Sequence, residues 1–307
     1  MTTTYIPGIH HITAISGPPQ SNVDFYTGTL KQRLVKKTVN FDDPGTYHLY
    51  YGDYAGSPGT ILTFFPFADA GPGRAGPGMA SAYAYAVPAG QFESWMENLA
   101  EQAIDFEGPE ERFGKRVITL RDPDGAPVEL VETNRTSDEA LEGFHSVTLW
   151  LRDLAPTAKL LTDVFGYEDL GSEKTAGVER LRLAAPGDAK GTIVDLMRSD
   201  TPSIGRPGAG TIHHVAFRAE DNDTQLAWRE AVASAGHSVT PVIDRQYFNA
   251  IYFREPGGVL FEIATDPPGF AHDEPLESLG QTLKLPAQYE GIRDRIERVL
   301  PPIKSAA

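Results

Sequence analysis

The sequence predicts an α+β protein assembled from four copies of one strand–helix–strands unit. Three observations predict it. An offset of 133 carries Trp95 onto Trp228 and Glu129 onto Glu262, and also the turn Asp122-Pro123-Asp124-Gly125 onto Glu255-Pro256-Gly257-Gly258. Pro and Gly punctuate both segments as turns. The helix-like segments 93–103 and 226–236 coincide at the same offset, each with apolar residues at helical spacing. Finally, Ile9-His10-His11-Ile12 returns as Ile212-His213-His214-Val215, each doublet opening an apolar, strand-like run. Helix, turn and closing strand matched at one spacing mark an internal repeat.

The elements follow in order. Unit one opens with a strand at 9–15, has a helix near 22–30, and continues in strands at 34–41, 47–53 and 60–67. Unit two opens at 81–87 and ends at 127–132. Unit three opens at 144–151, with a helix over 156–165 and strands at 179–183 and 192–198. Unit four opens at 212–218 and ends at 259–265. Gly/Pro-rich stretches at 71–78 and 202–210 separate the units pairwise, and 134–143 joins two halves, 1–135 and 143–307. The glycines of 71–78 do not lie between a strand and a helix, as a phosphate cradle requires, so the stretch reads as a linker. A last helix near 287–300 follows an irregular tail.

The chain of 307 residues can bury a substantial core, and its length suggests about two domains. Its 27 basic and 42 acidic residues give a net charge of -15, which argues against nucleic acid or an anionic membrane as partner. Cysteine is absent, which excludes disulfides, thiolate metal ligands, iron–sulfur clusters and Cys nucleophiles. No leader-like start and no apolar run of about 18 residues is visible, so a cytoplasmic, membrane-free protein is expected. The composition leaves a homo-oligomer open.

Histidines number eight, yet four sit in the two doublets. Side chains alternate faces along a strand, so one imidazole of each doublet should enter a given cavity. His10, Ile12 and Ala14 share the more apolar face, as do His213, Val215 and Phe217; these faces should pack under the helices. His11 and His214 then line a cavity. On the closing strand Phe261 and Ile263 belong to the packed side, leaving Glu262 inward among apolar neighbours. A solitary carboxylate there costs several kcal/mol unless paired or metal-bound. At the position of His11 and His214, units two and three carry Ser81 and Ser146, so only the first and last units offer ligands and they should be spatial neighbours. Two His and one carboxylate leave coordination positions open and suit non-haem Fe(II), with Mn or Zn also accepted. Against this, a lone strand histidine is more often a hydrogen-bonded core residue. His145 repeats the position of His10 beside no ligand, Glu129 reads as structural, and His48, His237 and His272 are assigned to structure or surface.

These residues resemble the vicinal oxygen chelate superfamily, which includes glyoxalases and extradiol dioxygenases, and more narrowly its hydroquinone and chlorohydroquinone 1,2-dioxygenases. The resemblance runs nearly end to end, through Leu34-Val35-Lys36-Lys37-Thr38, Tyr47-His48-Leu49-Tyr50, Arg112-Phe113-Gly114, Gly143-Phe144-His145-Ser146, Ile212-His213-His214 and Phe261-Glu262. It implies four βαβββ units in two glyoxalase-like barrel-type domains, with His11, His214 and Glu262 on Fe(II). It also implies supporting roles for His10, Thr13, His213, Arg245 and Tyr252. The expected activity is a non-haem iron, extradiol-type ring cleavage of a hydroquinone-type phenol by O2. Tyr252 would hydrogen-bond the substrate oxygen, and His213, with an ordinary pKa of about 6.5, would shuttle a proton. Arg245 would steady developing negative charge. A glyoxalase-like metal-dependent lyase or isomerase is the alternative, as is a non-catalytic small-molecule binding protein. The former usually takes a fourth ligand from the closing strand of the partner unit, where 60–67 offers Thr63 or Phe64 and no carboxylate.

Overall fold

The computed structural model describes residues 5–304, and within them each unit folds as a strand, a helix and three further strands. Unit one comprises β1 (Ile9–Ser16), α1 (Pro19–Val23, running into a π-helical turn at Asp24–Thr29), β2 (Arg33–Val39), β3 (Tyr47–Gly52) and β4 (Ile61–Pro66). Unit two comprises β5 (Met79–Val87), α2 (Phe92–Glu101), β6 (Phe106–Arg112), β7 (Lys115–Arg121) and β8 (Pro127–Glu132). Unit three comprises β9 (Phe144–Trp150), α3 (Ala155–Asp163), β10 (Glu168–Thr175), β11 (Val178–Ala184) and β12 (Ile193–Ser199). Unit four comprises β13 (Thr211–Ala219), α4 (Asn222–Ser234), β14 (Ile243–Asp244), β15 (Phe248–Arg254) and β16 (Leu260–Pro268). The expected last helix is two short pieces, α5 (Ala287–Glu290) and α6 (Arg293–Val299).

Units one and four share one curled eight-stranded sheet, in the order β14-β15-β16-β13-β1-β4-β3-β2; units two and three form the other, β10-β11-β12-β9-β5-β8-β7-β6. The first and last segments of the chain are therefore hydrogen-bonded neighbours, β1 against β13 antiparallel. The edge strands β10 and β6 escape the apolar-pattern reading because they are charged and exposed, as in Glu107-Gly108-Pro109-Glu110-Glu111. Charge on an edge discourages pairing with a second sheet.

The helices pack one apolar stripe each. Phe92, Trp95 and Leu99 of α2 are buried at three- and four-residue spacing. Asp221 caps α4, its carboxylate accepting from the Thr224 amide at 2.8 Å. The main core lies between helices and sheets and includes Ile12, Phe217, Phe253, Phe261 and Ile263. A second apolar cluster lines the inside of the first sheet, where Tyr50, Tyr247 and Phe248 meet Phe270 and Leu279 from the tail. The tail thus closes part of that cup. Lys36 of β2, fully buried, anchors it through Asp273 at 2.6 Å and Glu274 at 2.5 Å.

The two matched turns each receive a helix from another unit. Glu255 accepts from the Thr157 hydroxyl of α3 at 2.5 Å and from the Gly257 and Val259 amides. Asp122 accepts from Tyr26 at 3.0 Å and from the Asp124 and Ala126 amides. Burial pushes the Asp122 carboxyl from its ordinary 3.8 to about 6 despite those hydrogen bonds. A carboxyl raised in the folded state binds its proton more tightly than the unfolded chain does. Its contribution to stability is therefore greatest below about pH 4 and falls as pH rises to about 6, by about 3 kcal/mol in all. The stability of the native protein relative to Asp122→Asn should drop by that order between those pH values in urea unfolding, and a pH-independent difference would refute the assignment.

Candidate metal centre

The geometry of the site begins with two β-bulges. Along the β1–β13 ladder, Ile9 pairs with Phe217 and His11 with Ala216, so His10 is an extra residue; Thr13 pairs with His214 and Ala14 with Ile212, so His213 is another. A bulge sets two consecutive residues opposite one and turns both side chains toward the same face. This corrects the expectation from strict alternation that His10 and His213 lie under the helices. His10 Nδ1 instead meets His11 Nδ1 at 2.9 Å, and His213 Nδ1 meets His214 Nδ1 at 2.8 Å. Phe248 packs on both His10 and His11.

With their Nδ1 atoms occupied, His11 and His214 present Nε2 to a common point, 3.4 Å apart. Glu262, on β16 beside β13, brings Oε2 to 2.9 Å from His214 Nε2 and 3.4 Å from His11 Nε2. One donor atom from each of the three lies within 4.8 Å of the others, and all three residues are buried. Glu262 is wholly inaccessible, and among the described residues neither of its oxygens has a hydrogen-bond partner despite the short approaches. An orphaned buried carboxylate facing two imidazole nitrogens is a costly arrangement in search of a cation. Donors held at about 2.0–2.2 Å from one ion stand roughly 3 Å apart, which is the spacing here. The residues fit a divalent metal.

Burial alone would raise the Glu262 carboxyl, but the His11 and His214 imidazoles outweigh it and hold the group below the usual carboxylate range. Burial lowers His214 although Glu262 opposes it. Burial, then the neighbouring His11, lowers His10 strongly, with the Thr265 backbone opposing it weakly. Desolvation of its ring, then His214, lowers His213, although the residue as a whole is exposed at the cavity.

The donors open onto a cavity of about 460 Å³. Phe41, Phe65, Phe67 and Phe248 make its apolar walls, and His213, Tyr252 and Arg245 its polar side. Arg245 Nε donates to the Tyr252 hydroxyl at 3.3 Å, and its Nη1 to Asp42 at 3.2 Å. Burial, reinforced by Glu262, raises the Tyr252 phenol, so the hydroxyl keeps its proton. Thr13 does not line the cavity. Its side chain is fully buried and bonded to Thr63 at 2.9 Å, and Thr63 in turn meets His48 on the cavity wall.

Sequence reasoning missed His48 by assigning it to structure or surface. Its Nε2 meets Thr63 at 2.8 Å, its Nδ1 meets the Tyr50 hydroxyl at 2.8 Å, and its ring lies 4.4 Å from Phe65 on the cavity wall. The signal was present: His48 and Tyr50 are two apart on a strand, hence on one face. Among the described residues Thr63 occupies the place where a fourth protein ligand would come from β4, and its hydroxyl is already engaged.

The second sheet is an internal control. Ala82 pairs with Thr148 as His214 pairs with Thr13, and Ser81 is the bulged residue. The equivalent of His214 is thus Ala82, one residue from the expected Ser81, because the offset shortens by one between strand and helix. Ser146 does stand where His11 stands. Glu129 keeps the place of Glu262, but Arg112 donates to both its oxygens at 2.9 Å. A guanidinium fills the position that the first sheet leaves for a metal.

Comparison with known proteins gives a consistent picture. A model of the Glyoxalase/Bleomycin resistance protein/Dioxygenase superfamily matches residues 8–130 and 143–263. The chain is 48% identical over 308 residues to the Bacillus subtilis protein named "Putative ring-cleaving dioxygenase MhqO", covering 97% of this chain and 96% of that protein. It is 36% identical over 313 residues to the chlorohydroquinone/hydroquinone 1,2-dioxygenase of Sphingobium indicum, with 96% of each covered. A crystal structure from Bacillus subtilis, 47% identical, superposes with a TM-score of 0.92 over 99% of both chains. Maize glyoxalase I shares the fold at 17% identity, with a TM-score of 0.65 over 84% of this chain and 92% of that one.

Proposed function

The chain belongs to the Glyoxalase/Bleomycin resistance protein/Dioxygenase superfamily, and from that membership we propose that it is an Fe(II)-dependent, extradiol-type dioxygenase that cleaves the ring of a hydroquinone-type phenol. The observation that carries the reading is the orphaned, buried Glu262 converging with His11 and His214 on one side of an aromatic-walled cavity. Three protein donors leave room for substrate and O2 together, and iron, when bound, supplies the redox chemistry that joins them. The names of the relatives support ring cleavage, and that of the Sphingobium enzyme supports a hydroquinone.

The remaining work falls to the side chains. The phenylalanine walls hold the ring and exclude water. Tyr252, protonated at neutral pH, donates to the substrate oxygen, and Arg245 behind it steadies negative charge as the ring opens. For His11 and His214 to offer Nε2 lone pairs, each must carry its proton on Nδ1 and donate to its neighbour. His10 then carries its own proton on Nε2, on the side of the Thr265 backbone, which favours one ring orientation. His213 is left with an Nε2–H aimed into the cavity. Lining the cavity beside His214, it is placed to donate to the substrate or to exchange a proton with it.

Oxygen uptake by protein reconstituted anaerobically with Fe(II), against a panel of hydroquinones and catechols, tests the proposal. Ligand binding without oxygen uptake would leave a binding protein; turnover with Zn or Ni and no oxygen would indicate a glyoxalase-like lyase. The Tyr252→Phe variant should lose roughly 10²-fold in kcat with its metal content unchanged, the scale of removing one preorganised donor. A metal-free Tyr252→Phe protein would count against a role in substrate binding.

A further inference from the structure

Beside the aromatic cavity lies a second one of about 550 Å³, bounded by the β14–β15 loop and the tail. Phe41, Asp42 and Arg245 line both. The chambers are thus separated by one partition, whose closing contact is the Asp42–Arg245 ion pair at 3.2 Å. Building on the ring-cleavage reading, we propose that the outer chamber is a subsite for a ring substituent, so that the substrate class extends to hydroquinones bearing a flexible, uncharged, polar-tipped chain.

Size supports this first. A benzene ring fits a void of about 150 Å³, so the inner chamber, at about 460 Å³, exceeds what one ring requires. The partition is also weak on one side. Asp42 is 77% exposed, whereas Arg245 is 22% exposed and stays tied to Tyr252. An exposed ion pair contributes little, so the proposal requires only that the Asp42 side chain turn away from Arg245. Arg245 keeps its place at the ring. The Tyr289 hydroxyl donates to the Phe41 carbonyl at 2.7 Å, so the rest of the partition stays fixed to the tail. The lining selects the chain's chemistry. Ile243 and Pro286 offer apolar contact and Gln246 and Gln288 offer neutral hydrogen bonds, while Asp42 and Asp244 set against Arg245 and His272 leave no single sign of charge to select an ionic tip.

The test is anaerobic calorimetric titration of the Fe(II) protein with methylhydroquinone and with hydroquinone carrying a hydroxyhexyl chain. The chained ligand is expected to bind at least as tightly as the methyl one. Ala287→Trp, filling the outer chamber from its exposed rim, should weaken the chained ligand about tenfold relative to the methyl one. Asp42→Ala should shift the same ratio the other way. Exclusion of the chained ligand by a protein that still binds methylhydroquinone and consumes oxygen overturns the subsite alone. An Ala287→Trp effect equal on both ligands overturns it too. Failure to bind either ring removes the ring-cleavage reading and the subsite together.

Discussion

Glu262→Gln is expected to leave a folded protein that neither retains a divalent metal nor takes up oxygen. Glutamine preserves the side-chain volume and one oxygen but removes the single negative charge among the three donors. Two neutral imidazoles and an amide then face a dication in a buried, low-dielectric site, where the lost attraction is not restored by water. Losing a partner one bond further from a metal typically costs 10–100-fold in affinity, and loss of the ligand itself should cost more. The measurement pairs metal content after dialysis with the thermal response to added Fe(II). A site filled at about 1,000 times its Kd gains about 4 kcal/mol of stability. The native protein should show that upward shift in Tm and the variant almost none. A variant that binds iron and turns over normally would end the case for this centre.

Much of the architecture was legible because it is repeated. The offset of 133 located matched helices, turns and closing strands, and Phe261 and Ile263 fall in the core while Glu262 faces inward, as alternation requires. Alternation failed where the backbone departs from a regular strand. His10 and His213 are bulged residues, and a bulge is set by pairing with a distant strand, which one strand's own pattern does not carry. The same blind spot hid β10 and β6, whose edge position favours charge over period-two apolarity. His48 was missed for another reason. It comes from β3, two strands from His11 in the sheet, and only the curl of that sheet turns it onto the site.

The second cup explains why one repeat pair keeps the site and the other does not. Arg112 lies one offset from Arg245, yet its guanidinium reaches Glu129, whereas Arg245 stops at Tyr252 and Asp42. Where Thr63 neighbours Thr13, the second cup has Asp195 beside Thr148, and Arg182 pairs with it through two contacts of 2.8 Å. Two buried carboxylates are neutralised from within by arginines. Among the described residues Glu262 of the first cup has no such partner, and a local fold rule left unmet marks a functional position.

The tail should matter to both stability and turnover, and Lys36 is where this can be tested. Lys36→Met is expected to cost about 3–5 kcal/mol, the range for removing one partner from a buried ion pair. The reason is what remains: a buried Glu274 and a half-buried Asp273 are left without the ammonium that holds them at 2.5 and 2.6 Å. The effect should reach the metal cavity through Asp273. Its Oδ2 also accepts from Gln246 Nε2 and from the Tyr247 hydroxyl, each at 3.0 Å. Those residues directly follow Arg245, and Gln246 holds a left-handed backbone at φ 66, a conformation that costs about 1 kcal/mol and persists only when its surroundings impose it. Releasing Asp273 should let this loop relax and draw Arg245 away from Tyr252. The predicted result is a Tm lowered by at least about 5 °C, a reduced kcat, and an unchanged metal content. Combining Lys36→Met with Asp273→Asn and Glu274→Gln removes the stranded charges and should recover most of the stability. It should not recover kcat fully, because the amide that replaces the Asp273 carboxylate is the weaker acceptor for Gln246 and Tyr247. Equal recovery of both would show that the tail acts on stability alone.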